Sequence, residues 1–286
     1  MWQAELIESG FIGGSEVVGH LGFHVVVTLR RRFERAQLER AFEATLRDFP
    51  VLNCRFEGQL WRDRWVPVTD PVSASVHMES LPLGADDEAL EAVIARWAAT
   101  AHEPRSERPW RVIGVEGPGS RFHIMLSVTH VVVDGGGAKA IAQAFGGHLY
   151  EAPFPVPVET RRDLAMTLER LSWWHAPLVV AGVLRESLRP AQVALAPPRR
   201  DRFEMGYEGG LYWRELVLSS EDFVRFKRAC KSHGATVNDG LAAMLSHVSG
   251  QRTDEGPAAV VYTMDLRRYL GAPRLVAANI SGLLWV

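Results

Sequence analysis

Apolar and polar positions in the N-terminal part of this chain follow two different periods. Residues 23–29 are rich in Val and Phe, which is typical of a β-strand. Residues 36–49 instead repeat apolar side chains at helical spacing, and Pro50 ends the pattern. The side chains that share the apolar face are Leu38, Ala41, Phe42, Thr45 and Leu46. The pattern therefore predicts a strand followed by an amphipathic helix.

Beyond Pro50 the pattern predicts a hairpin, a helix, two more strands and a third helix. Asp86, Asp87 and Glu88 lie in the first turn of the middle helix, where negative charge favours the helix dipole. The predicted bounds are 51–56 and 60–66 for the hairpin strands, 86–102 for the helix, 111–116 and 121–130 for the next strands, and 138–150 for the last helix. This order predicts an α/β fold of the α+β type, in which helices pack on a mixed sheet.

Proline punctuates the chain after residue 150. Residues 190–202 combine prolines with a charged run, which predicts a linker between two lobes. Beyond it the pattern predicts helices at 221–232 and 237–249 and a strand at 258–264. The predicted domains are a first lobe at 1–188, a crossing linker at 189–202 and a second lobe at 203–286.

Composition narrows the classes of function. The 286 residues are 47% hydrophobic and 23% charged, with a net charge of -2, which gives no electrostatic case for nucleic-acid binding. Cys54 and Cys230 fit no metal-binding spacing. No stretch reaches the ~18 apolar residues of a membrane span. The N-terminus shows no signal peptide, and we expect a cytoplasmic protein.

The strand predicted to end at residue 130 carries the clearest candidate chemistry. The apolar run 122–128 leads into Thr129 and His130, and Asp134 follows just before the glycines at 135–137. A histidine that ends a strand beside a Gly-rich turn can be held rigidly while its edge faces a cavity, as a general base requires. The alternative is a strand-end histidine whose nitrogens are satisfied by backbone groups. We favour the active-site interpretation.

Asp134 and the glycines each have more than one interpretation. Asp134 either contacts His130, pairs with an arginine as a structural anchor, or caps the turn or helix that follows. Gly135, Gly136 and Gly137 precede the predicted helix, where a phosphate cradle is conceivable. Neither nucleotide-binding glycine pattern is present, however, so we favour close approach of the backbone to a substrate arm.

His130, Asp134 and Gly135 match the His-His-x-x-x-Asp-Gly signature, with Thr129 in place of the first histidine. The chain thus resembles the condensation-domain-like acyltransferases, a superfamily with chloramphenicol-acetyltransferase-like lobes. Its members include wax ester synthases, polyketide-associated acyltransferases and alcohol O-acyltransferases. Further segments similar to family motifs are 49–52, 108–111, 234–239 and 263–267.

The resemblance implies a catalytic base, a structural ion pair and a substrate channel between two lobes. His130 would be the base, and Asp134 would pair with Arg267 and tie the lobes together. Thr129, Gly136 and Asn238 are candidate channel residues, although Asn238 and Asp239 are better explained as helix caps. No metal and no tightly bound cofactor is expected, because the acyl-CoA or phosphopantetheine thioester is itself a substrate.

The resemblance further implies transfer of an acyl group from a CoA or carrier-protein thioester to a small alcohol or amine acceptor. The family's Asp-Phe-Gly-Trp-Gly motif does not occur here, so we expect a partial second lobe and a possible protein partner that completes it. Two alternatives stay open. The first is a non-catalytic interaction module that keeps the fold, and the second is an amide-forming condensation domain of a peptide synthetase.

Overall fold

The computed structural model describes residues 2–3, 12, 22–58, 63–82, 85–100, 102–117, 121–152, 154, 156–163, 166, 177, 181, 217–252 and 261–285. Its helices, among these residues, are α1 (Arg35–Asp48), α2 (Asp87–Ala99), α3 (Gly135–Leu149), α4 (Ser220–Ser232) and α5 (Val237–Arg252). Its strands are β1 (Trp2–Gln3), β2 (Gly22–Leu29), β3 (Cys54–Glu57), β4 (Arg64–Pro67), β5 (Val76–Ser80), β6 (Trp110–Glu116), β7 (Phe122–Thr129), β8 (Val158–Glu159), β9 (Val261–Asp265), β10 (Leu275–Val276) and β11 (Ser281–Trp285).

The central sheet of the described residues has the strand order β2-β7-β6-β5. Strands β2 and β6 run antiparallel to β7, whereas β5 runs parallel to β6. The predicted mixed sheet is therefore confirmed. Strand β7 is buried along its whole length, with Gly22 of β2 opposite Thr129 and Trp110 of β6 opposite Val128. The C-terminal end of a central strand thus carries the candidate histidine.

The main core lies between one face of this sheet and helices α1 and α3, which pack against each other. Phe42 of α1 stacks on Trp110 of β6 at a ring-centroid distance of 4.1 Å, and Phe145 of α3 meets the same indole edge-on. Such aromatic contacts add about 0.5–1.5 kcal/mol each beyond area burial. A smaller apolar cluster on the other face packs α2 against β6 and β7. The strand that leads to His130 is therefore supported from both faces.

Several elements differ from their predictions. Helix α3 begins at Gly135 rather than near residue 138, because the Asp134 carboxylate accepts a hydrogen bond from Gly137 N at 2.8 Å and caps the helix. Strand β5 was not predicted, since its sequence Val-His-Met-Glu-Ser alternates only weakly. The predicted hairpin is present as β3 and β4, and a 3₁₀ turn at Pro50–Asn53 replaces its first residues.

The chain divides into two compact units. The first comprises residues 1–170 and 265–280, and the second comprises residues 171–264 and 281–286. The predicted lobe boundaries at 188 and 203 lie outside the described residues and stay predictions. The second unit includes the described helices α4 and α5, which match their predicted positions. No helix among the described residues is both long enough and apolar enough to cross a membrane.

Candidate active site

His130 follows the last residue of β7 and begins a tight turn. Its side chain is half-buried, and its ring lies against Phe23 of β2 with ring centroids 4.6 Å apart at an interplanar angle of 45°. Val132 N donates to Thr129 O at 3.3 Å, which closes a turn with His130 and Val131 at its centre. The imidazole is thus placed on a fixed backbone with part of its surface open.

Thr129 is buried and holds the start of this turn. Its backbone N donates to Pro109 O at 2.9 Å, and its hydroxyl accepts from Val131 N at 3.4 Å. The hydroxyl therefore helps to hold the start of the turn. Its place in a substrate channel stays a prediction.

Asp134 lies at the other end of the turn and is almost completely buried. Its Oδ1 accepts from Gly137 N and lies 2.8 Å from Arg267 Nη2, while its Oδ2 accepts from Arg267 Nη1 at 3.0 Å and from Ile280 N at 2.9 Å. Both structural interpretations of Asp134 are therefore present together, because it caps helix α3 and pairs with Arg267. A carboxylate that accepts so many hydrogen bonds is fully engaged in holding the chain.

Arg267 spreads its guanidinium over several partners. Besides Asp134, Nη1 donates to Asp265 Oδ1 at 3.1 Å, and Nη2 donates to the carbonyls of Val276 at 3.3 Å and Ala278 at 2.8 Å. The ion pair lies inside the first compact unit, which contains both residues. It ties the 265–280 segment to the turn that carries His130.

The glycines lie in the first turn of α3 and differ in their surroundings. A Cβ on Gly136 would lie 2.8 Å from Arg267 Cζ, and a Cβ on Gly137 would lie 3.0 Å from Ala278 O. Gly135 is open, since its Cβ would find only Phe23 Cε1 at 3.7 Å. The glycines therefore let the helix start pack closely against the Arg267 segment.

Asn238 lies in the second unit and is exposed near the start of α5. The cap of this helix is formed by its neighbours, because Asp239 Oδ2 accepts from Thr236 N at 2.7 Å and Thr236 Oγ1 accepts from Asp239 N at 3.2 Å. The capping interpretation thus applies to Asp239 rather than to Asn238. A channel role for Asn238 stays a prediction.

The sequence did not reveal two side chains that hold the turn through hydrogen bonds to its carbonyls. Asn279 is 4% exposed, and its Nδ2 donates to the carbonyls of His130 at 3.0 Å and Val131 at 2.8 Å. Arg162 Nη2 donates to the next carbonyl, that of Val132, at 2.7 Å. A signal for Asn279 exists in the sequence, since it is a lone amide in the apolar run 275–280.

A second histidine is buried beneath the same strand. A 2.9 Å hydrogen bond joins His102 Nε2 to Ser127 Oγ, and His102 Nδ1 lies 3.9 Å from Glu107 Oε1. Burial, and then the nearby Arg111 guanidinium, lower the pKa of His102 to about 3, so it is neutral at physiological pH. Ser127 is completely buried, so no substrate reaches this serine–histidine pair.

A cavity of about 360 Å³ lies apart from these residues. Glu43, Arg47 and Asp70 line it together with Arg108, whose guanidinium donates to Asn53 Oδ1 and to backbone carbonyls at Asp70 and Pro71. None of the predicted site residues lines this cavity, and its buried arginine is already satisfied. We therefore treat it as structural. The described residues contain no cluster of His, Cys, Asp and Glu suited to a metal ion.

No protein-family model and no curated protein matches this sequence. Several solved structures do match this chain. The cyclization–docking bidomain of the EpoB nonribosomal peptide synthetase from Sorangium cellulosum is 15% identical over 100% of this chain, with a TM-score of 0.64. The first condensation domain of the calcium-dependent antibiotic synthetase is 16% identical over 100% of this chain, with a TM-score of 0.67. The chain has the fold of condensation domains.

The condensation domain of the Monacolin K polyketide synthase MokA agrees, with 13% identity over 99% of this chain and a TM-score of 0.63. This chain covers 59% of the matched EpoB chain, 69% of the antibiotic-synthetase chain and 66% of the MokA chain. The predicted fold class is confirmed. His130 therefore lies on a condensation-domain fold.

Proposed function

We propose that this protein is an acyltransferase with His130 as its general base. The observation that carries the proposal is the placement of His130 on a condensation-domain fold. The residue follows a fully buried central strand, its backbone is held by Asn279, and its half-buried ring lies against Phe23. A base needs this combination of fixed geometry and access.

The proposed reaction moves an acyl group from a thioester to an acceptor. Neutral His130 takes the proton of an alcohol or amine as that oxygen or nitrogen attacks the thioester carbonyl carbon. The tetrahedral intermediate then collapses, the C–S bond breaks, and the imidazolium returns the proton to the leaving thiolate. The products are an ester or amide and a free thiol, so the histidine ends the cycle unchanged.

The proposed donor is an acyl-CoA or a carrier-protein thioester, and the acceptor is a small alcohol or amine. The solved structures named above include condensation domains of the calcium-dependent antibiotic synthetase and of a polyketide synthase. Their fold therefore supports both amide and ester formation as candidates here. Acceptors of both classes must be tested, because the residues around His130 do not favour one of them.

The test follows thiol release from a panel of acyl-CoAs, each with mixed alcohols and amines, in wild type and His130→Ala. We expect acceptor-dependent release that falls by a factor on the order of 10²–10⁴ in the variant, which is the usual contribution of a general base. Asp265→Asn is the matched control, because it removes the charge of an exposed partner of Arg267 and leaves the turn in place. Release that persists in folded His130→Ala protein would contradict the proposal.

A second candidate is a non-catalytic module that binds a protein partner. The observation that favours it is an exposed apolar stripe on α5 at helical spacing. The stripe consists of Leu241, Met244, Leu245 and Val248, which are 45%, 55%, 60% and 49% exposed. Wild-type protein that is folded, releases no thiol with any donor, and self-associates unless Leu245 is changed to Glu would favour this module over the enzyme.

A further inference from the structure

The two carbonyls at the centre of the turn that carries His130 accept hydrogen bonds from a distant segment of the chain. Val131 N and Val132 N both point back to Thr129, to its hydroxyl and its carbonyl respectively. Buried backbone carbonyls need hydrogen-bond donors, and those of His130 and Val131 have a donor from residue 279. A buried carbonyl left without a donor costs about 1–3 kcal/mol.

Asn279 supplies both donors from one amide group. Its Nδ2 carries two hydrogens, and these go to the carbonyls of His130 and Val131 at 3.0 and 2.8 Å. The side chain of Asn279 is almost completely buried, and the residue lies between the buried residues Ala278 and Ile280. The amide is thus held in place by a packed segment, and it fixes two successive peptide planes.

Fixing these planes also fixes the direction of the His130 side chain. The peptide plane after His130 sets the ψ angle of that residue, and the hydrogen bond from Thr129 N to Pro109 O holds the strand before it. The Cα–Cβ bond then has one direction relative to the sheet, and the ring lies against Phe23. A reacting group displaced by about 1 Å loses on the order of 10²-fold in rate.

We propose that Asn279 is a positioning residue that sets the orientation of the His130 imidazole. The inference rests on the proposed function for its effect on turnover, but its effect on the ring stands on geometry alone. Asn279 touches the backbone of the turn rather than the imidazole, so it acts through His130. It supports the side of the turn that carries His130, whereas Arg267 supports the side that carries Asp134.

The test compares Asn279→Asp, Asn279→Leu and Asn279→Ser with wild type. Asp has the same shape but offers no hydrogen at neutral pH, Leu offers only apolar atoms, and Ser keeps one donor. Glu159→Gln is the matched control, because it weakens the Arg274 ion pair beside the β8–β10 pair and changes no contact with the turn. Two quantities are measured on folded protein: kcat and KM for thiol release, and the rate at which diethyl pyrocarbonate modifies His130, followed by mass spectrometry.

We expect kcat to fall about 10- to 100-fold in the Asp and Leu variants, with KM unchanged and an intermediate loss in the Ser variant. The modification rate of His130 should rise in the same order, because the ring is no longer held against Phe23. The control should match wild type in both. Unchanged kcat and an unchanged modification rate in any folded variant would overturn the proposal, even if the melting temperature falls.

The two readouts separate the two proposals. If wild type releases no thiol with any donor, the proposed function fails while the modification rates still decide the role of Asn279. If His130→Ala abolishes release but the Asn279 variants retain both kcat and the wild-type modification rate, the enzyme stands and the positioning role is wrong. The Ser variant keeps the test decisive if the Asp and Leu variants do not fold.

Discussion

His102 and His130 both lie beside strand β7, and their surroundings differ in the access that they give to a substrate. His102 is 5% exposed and hydrogen-bonded to the buried hydroxyl of Ser127, with Glu107 beyond it. This series of serine, histidine and carboxylate has the residue types of a nucleophilic site. Burial and Arg111 keep its imidazole neutral, and no substrate reaches Ser127.

His130 is more accessible than His102, because its side chain is only half-buried. It follows the end of β7 instead of lying beneath it, its ring is half-buried against Phe23, and the chain around it is held through backbone groups. The comparison teaches that residue types alone do not identify the chemistry. A rigid backbone with a half-buried side chain distinguishes His130, whereas a buried network distinguishes His102.

The largest effect we expect comes from releasing the turn of His130 at its Asp134 end. Asp134→Ala leaves the half-buried guanidinium of Arg267 without its buried carboxylate, which typically costs about 3–5 kcal/mol. Urea denaturation measures the loss in free energy of unfolding. Asp265→Asn, at the exposed partner of the same arginine, should cost less than about 1 kcal/mol. Equal losses at the two carboxylates would show that Asp134 is not the anchor.

The pH dependence of stability sharpens the comparison at His102. Its folded-state pKa of about 3 lies below the unfolded value of about 6.5, so its stabilising contribution is complete above pH 6.5 and is lost as the pH falls towards 3. Wild type should therefore lose about 2 kcal/mol more than His102→Gln between pH 7 and pH 5. Denaturant titrations of both proteins at the two pH values measure this. Parallel losses would mean that His102 is protonated in the folded protein.

A smaller effect is expected from the glycines at the start of α3. The methyl group of Gly136→Ala would push against Arg267 and loosen its contact with Asp134, at a net cost of about 1 kcal/mol after the gain in helix propensity. Gly135→Ala meets only ordinary contact with Phe23 and should change the free energy of unfolding by less than about 0.5 kcal/mol. Thermal unfolding of the two variants separates them, and a larger loss at Gly135 would be the contrary result.

Much of the fold follows from local pattern. Helix α1 carries its apolar face at the predicted positions, and strands β2, β6 and β7 lie within a residue or two of their predicted ends. The apolar positions of these elements are strongly periodic, so the sequence predicts which of their residues are buried. Strand β5 escaped prediction because its position is decided by parallel pairing with β6, a long-range contact that its own residues barely signal.

The candidate site also has a part that the sequence predicts and a part that only the structure reveals. His130 and Asp134 belong to a local motif that a single sequence reveals, and the resemblance to known acyltransferases implied the Arg267 partner. Asn279 and the His102–Ser127 pair depend on which distant segments meet at the turn and under the strand. The periodicity of the sequence carries no information about such long-range contacts. In the sequence, a buried amide or histidine cannot be told from any other polar residue in an apolar run.

The central claim is that His130, and not His102, carries the chemistry. The most direct measurement is acceptor-dependent thiol release per folded molecule in His130→Gln and His102→Gln, with the folded fraction of each taken from its own denaturation curve. We expect release to fall by a factor on the order of 10²–10⁴ in His130→Gln and to stay at the wild-type rate in His102→Gln. Release that survives in folded His130→Gln, or that disappears in folded His102→Gln, would contradict this account.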